Sequence, residues 1–216
     1  MWSAMKRIDI ERLDYEELLR GSREYVKRER RDAVYKVATF LVDHFWFKPA
    51  DMADSIAVFL LVWNQAFYRY CNFDLDIEGL QKFLERNEKI LYVVRKRDIS
   101  SLTENDGKLV TALFDELLDI LKCNDRKSPV AVSKALHLLA PEFLPIWDDD
   151  ISMAYSCYWY DSNKASSKYL TFMGKMKNLS QRIIQTYMDK NSADKTTPKK
   201  LFAKKRPPIL ASQNLY

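Results

Sequence analysis

LVTALFDELLDIL, residues 109–121, sets Leu109, Val110, Leu113, Phe114, Leu117, Leu118 and Leu121 on one stripe of a 3.6-residue period. A half-buried strand would alternate apolar and polar at every second residue, and this stretch does not. The same period recurs on both sides of it. Val34, Val37, Ala38, Leu41, Val42 and Phe45 form one stripe; Leu80, Phe83, Leu84, Leu91 and Val94 form another. Tyr169, Phe172, Met173, Met176, Leu179, Ile183 and Tyr187 mark a long last helix.

Helix-start chemistry agrees with the stripes. Ser128 followed by Pro129 is a favoured opening, because a serine hydroxyl caps a free amide and proline at the first position gives up nothing. Asp148-Asp149-Asp150 opens another helix, its acids suiting the positive end of the dipole. A single helix is expected from about residue 50 to 70. Its centre, IAVFLLVW (56–63), is apolar all round, which predicts a buried central element. With only 4 glycines and 7 prolines in 216 residues, the turn chemistry of a β-sandwich or barrel is missing. The expected fold is all-α, with residues 1–190 in one helical domain of two lobes sharing a cleft and 191–216 as a flexible basic tail.

Net charge is +5, but the excess lies in the tail, which carries Lys195, Lys199, Lys200, Lys204, Lys205 and Arg206 against Asp194. Residues 1–190 hold equal numbers of acids and bases, so any polyanion footprint on the body must be a local patch. Cys71, Cys123 and Cys157 are far apart and odd in number, with no CxxC spacing. They read as reduced thiols rather than a disulfide or zinc framework, which predicts an intracellular, cytoplasmic compartment. The first residues lack the apolar run of a signal peptide, and no apolar stretch approaches the ~20 residues of a membrane span.

No Walker loop, GxGxxG, HExxH or nucleophile elbow is present. His44 and His137 read as surface or hydrogen-bonded helix histidines. Two segments stand out. Trp63-Asn64-Gln65 interrupts an apolar helix with two amides, which need hydrogen-bond partners wherever they are buried. Residues 128–151, SPVAVSKALHLLAPEFLPIWDDDI, run from a helix through a proline-marked turn to a carboxylate at the mouth of a new helix.

That second segment resembles the catalytic segment of helix-hairpin-helix DNA glycosylases, the superfamily of endonuclease III and the adenine-mismatch glycosylases. Phe143-Leu144-Pro145-Ile146-Trp147-Asp148, followed by Ile151, resembles the family's aliphatic-aspartate motif. The resemblance implies Asp148 as the catalytic aspartate of a monofunctional base-removing hydrolase, without metal or organic cofactor. It implies duplex DNA with a flipped-out base as partner, and a monomer. It also implies a base pocket from Trp63, Asn64, Gln65, Tyr68, Trp147 and Tyr155, and DNA contacts from Arg126, Lys127, Ser128, Arg95 and Arg97. The chain departs from the family in two places. Residues 124–128 lack the Gly-x-Gly of the hairpin, and the position of the family's nucleophilic lysine is Val130. Lys134 lies one turn later on roughly the same face, where an amine would add strand-cleaving lyase chemistry. The alternative expectation is a non-catalytic helical module that binds nucleic acid or protein, with Asp148 as a helix cap only.

Overall fold

The computed structural model describes residues 10–28 and 33–191, and the tail expected from residue 191 onward lies almost wholly outside them. All regular structure among the described residues is helical. The α-helices are α1 (Tyr15–Arg28), α2 (Ala33–His44), α3 (Pro49–Trp63), α4 (Gln65–Tyr68), α5 (Ile77–Arg95), α6 (Asp106–Ile120), α7 (Pro129–Leu139), α8 (Asp149–Ala154) and α9 (Ala165–Asn191). None is long and apolar enough to cross a membrane.

The stripes become the core. Leu80, Phe83, Leu84, Leu91 and Val94 of α5 are all buried, as are Val110, Leu113, Phe114, Leu117 and Leu118 of α6. They belong to one continuous apolar cluster that reaches from Ala38 to Met173, so α2, α3, α5, α6, α7 and α9 share a single interior. A small second cluster, Tyr15, Leu19, Leu179 and Ile183, fastens α1 to the far end of α9.

Three expectations need correction. The helix from 50 to 70 is two helices: Asn64, at φ −124° and ψ 28°, ends α3 and starts α4. The apolar centre is also not buried all round. Ile56, Phe59 and Leu60 are fully covered, whereas Val58 and Val62 are more than half exposed and line a shallow apolar groove with Val37 and Leu41. Finally, Cys71 and Cys123 are joined in a disulfide with their Cα atoms 5.6 Å apart, leaving Cys157 as a buried free thiol. The two cysteines are 52 positions apart in sequence, and the chain between them carries α5 and α6, which pack on each other and return it to its starting point. Cysteine usage therefore gives no argument for a reducing compartment.

Candidate functional site

The break at Asn64 creates the site's first feature. A helix end leaves its last carbonyls without internal partners. Lys134 of α7 takes one of them: its Nζ donates to the Trp63 carbonyl at 2.7 Å, with the charge 5.9 Å from the centre of the Trp63 ring. A cation there also complements the negative end of the α3 dipole. Beside it, Asn64 Nδ2 donates to Ser128 Oγ at 3.1 Å, and the same Oγ accepts from the Ala131 amide as the cap of α7. The C-terminal end of α3 and the N-terminal end of α7 thus meet through two polar contacts.

The aspartates arrive from the turn after α7, which is fastened to its surroundings at three points. His137 Nδ1 bonds the Leu144 carbonyl at 2.8 Å, and Tyr169 Oη donates to the Pro145 carbonyl at 2.9 Å. Ser133 Oγ donates to the Trp147 carbonyl at 2.5 Å and accepts from the Trp147 amide at 3.1 Å. A carbonyl can only accept, so Nδ1 of His137 donates, and Nε2 is in hydrogen-bond contact with Tyr35 Oη at 2.8 Å. The residue after Trp147 is Asp148, which caps α8 by accepting from the Ile151 amide at 2.8 Å.

These contacts bring Lys134, Asp148 and Asp149 into one electrostatic group. Burial pulls the Lys134 amine below its ordinary range, and the charges of Asp148 and Asp149 work against that pull. Partial desolvation, then the neighbouring Asp148 and Asp150, push the Asp149 carboxyl up, with Lys134 opposing. A half-buried amine of lowered basicity beside two carboxylates can act as a nucleophile or exchange a proton with a bound substrate.

The other expected residues are dispersed. Trp63 and Asn64 stand at the site, while Gln65 is exposed. Tyr68 and Trp147 are fully buried. Tyr68 donates to the Leu121 carbonyl at 3.1 Å, and Trp147 packs against Phe114, Trp159 and Tyr169, so both are core residues and not pocket walls. Among the described residues the Trp147 indole N–H is the buried side-chain polar atom without a hydrogen-bond partner. Tyr155 is half-buried against Phe172.

Most of the expected DNA-facing cations have internal partners. Arg95 pairs with Asp43 and donates to the Leu138 and Leu139 carbonyls at 3.1 and 2.7 Å, closing the end of α7. Arg97 grips Asp106 with both of its terminal nitrogens, at 2.6 and 2.8 Å. Lys127 pairs with Asp119 at 2.8 Å, and Ser128 is buried as a cap. Arg126 alone of the set is exposed without a carboxylate partner among the described residues. The turn that presents it closes without glycine: Asn124 takes φ 54°, a left-handed conformation that asparagine tolerates, and Cys123 and Arg126 exchange two backbone hydrogen bonds.

No motif marks Tyr35, Ser133 or Tyr169 as positioning residues, whereas the hydrogen-bonded His137 and an aspartate partner for Lys134 are among the sequence's own alternatives. The spacing of Ser133, Lys134 and His137 on one turn of α7 was the available signal. Comparison of the chain with protein-family models, with curated proteins and with solved structures returned no match.

Proposed function

We propose that this chain is a DNA N-glycosylase, with Asp148 and Lys134 as its reacting groups. One observation carries the reading: a half-buried lysine of lowered basicity shares its surroundings with Asp148, the residue that the motif resemblance puts in the catalytic position. Cleaving an N-glycosidic bond builds positive charge on the sugar, and a fixed carboxylate offsets that charge. In the hydrolytic route water attacks C1′ as the base leaves with the bonding electrons and takes up a proton. With Lys134 as nucleophile, the amine attacks C1′ instead, and loss of the base leaves a covalent sugar–lysine adduct that opens the way to strand cleavage. A base must leave the stack to be reached, and this reading puts it beside Trp63 and Asn64.

Base release from duplexes carrying modified bases tests the reading, with borohydride used to trap any sugar–lysine adduct. Release that Asp148→Asn loses supports a glycosylase, and a trapped adduct lost in Lys134→Ala supports the amine route. A second reading, a non-catalytic helical binding module, draws on Asp148 and Lys134 already being engaged, the first as the cap of α8 and the second at the end of α3. It predicts binding with no base release from any duplex.

A further inference from the structure

Tyr70 lies in the short 3-10 turn Arg69–Cys71 that follows α4, and 62% of its surface is exposed. Two guanidiniums flank it. Arg69 stands over the ring 5.2 Å from its centre and donates toward the Tyr70 hydroxyl at 3.4 Å, while Arg126, from a separate part of the chain, stands over the same ring at 5.5 Å. Both arginines are exposed, and among the described residues neither has a carboxylate partner, unlike Arg95, Arg97 and Lys127.

The arrangement is built into the fold. Cys71, next to Tyr70, is bonded to Cys123, and Cys123 is paired through both backbone polar atoms with Arg126. The disulfide therefore fastens Arg69-Tyr70 against Arg126 directly. Each arm also leads a short way to the candidate site. Asn64 and Ser128, which bond each other, lie six residues before Tyr70 and two residues after Arg126. Beside the same disulfide is a recess of about 570 Å³ lined by Asp74, Asp76, Glu78 and Asp119 together with Lys122, a net acidic set that disfavours a polyanion there.

We propose that Arg69, Tyr70 and Arg126 form a docking platform for an unpaired stretch of nucleic acid, with a base taking the place of a guanidinium on the Tyr70 ring and the guanidiniums moving onto the flanking phosphates. An exposed aromatic face accepts any base, and forked guanidiniums match phosphate oxygens, so the set selects a strand rather than a particular sequence. The choice of nucleic acid over another polyanion rests on the glycosylase reading; the platform's geometry does not.

Fluorescence anisotropy on the full chain tests it, using labelled oligothymidylate and a base-free sugar–phosphate oligomer of equal charge. Tyr70→Ala should weaken oligothymidylate binding about tenfold and leave the base-free oligomer unchanged, with Tyr70→Phe resembling wild type. Arg69→Ala/Arg126→Ala should weaken both oligomers and reduce the slope of log K against log salt by about 1.4. These side chains are exposed, and matching melting curves would confirm intact folds. Unchanged binding by Tyr70→Ala, an unchanged salt slope, or no binding by wild type overturns the platform. Polyglutamate that displaces the oligomer equally well, with Tyr70→Ala silent, overturns it in favour of an acidic-peptide surface. Strand binding through the platform without base release from any duplex leaves the platform standing and removes the glycosylase. Base release with Tyr70→Ala unaffected does the reverse.

Discussion

Ser133 holds Trp147 by both of its backbone polar atoms, donating to the carbonyl and accepting from the amide. Each partner is followed in the chain by a residue of the candidate site, Lys134 in one case and Asp148 in the other. With the His137–Leu144 bond, this hydroxyl sets the register between the helix that carries the amine and the turn that carries the carboxylate. Ser133→Ala leaves two buried backbone groups unpaired, at a cost of about 1–3 kcal/mol. Urea unfolding followed by circular dichroism should show that loss, and a change below about 0.5 kcal/mol would mean that the turn is held without Ser133.

Asp148 can be tested for function apart from folding. Its carboxylate caps α8, and asparagine caps about as well as aspartate whereas alanine does not. Asp148→Ala should lose about 1 kcal/mol of stability, and Asp148→Asn should melt close to wild type. Base release should be lost in both. Activity retained in Asp148→Asn would reduce Asp148 to its cap.

The Cys71–Cys123 bond closes a long loop, and the chain-entropy argument assigns it about 3–4 kcal/mol. Thermal unfolding with and without a dithiol reductant, or of Cys71→Ser/Cys123→Ser, measures this. A melting temperature that is indifferent to reductant would show that the bond does not form in solution.

Asp106 is held by Arg97 and by the amide and hydroxyl of Thr103, and the Arg97 hydrogen bond leads in keeping its carboxyl far below the ordinary aspartate range. A folded-state value below the unfolded one means that the unfolded chain binds the proton more tightly. The stabilisation is thus complete above the ordinary value near 4 and drains away as pH falls below it. Asp106→Asn should be less stable than wild type at neutral pH, with the difference narrowing as the pH falls below about 4. Parallel unfolding curves across that range would contradict the pairing.

What the sequence disclosed was local. The stripes of α5 and α6, the Ser128 cap and the Asp148 cap follow from periodicity and neighbouring residues, and each recurs in the structure. What it concealed depends on partners far along the chain. Asn64 announces itself as an amide in need of a partner, but neither the partner, Ser128, 64 positions on, nor the helix break at Asn64 is legible locally. Arg95 and Arg97 look like a basic rim until Asp43 and Asp106 neutralise them. Trp147 reads equally well as a stacking wall or a core residue, because hydrophobic pattern reports burial on a helix face and says little about a proline-marked turn. Cys71 and Cys123 meet only because α5 and α6 pack as a pair.

Single-turnover base release from duplexes carrying oxidised, alkylated and deaminated bases, each read with and without hot alkali, tests the central claim most directly. Wild type should free at least one of these bases, Asp148→Asn should free none, and Lys134→Ala should abolish any strand cleavage that occurs without alkali. Intact bases across the whole panel, from folded protein that still binds the duplex, would contradict a glycosylase and leave a helical nucleic-acid-binding module.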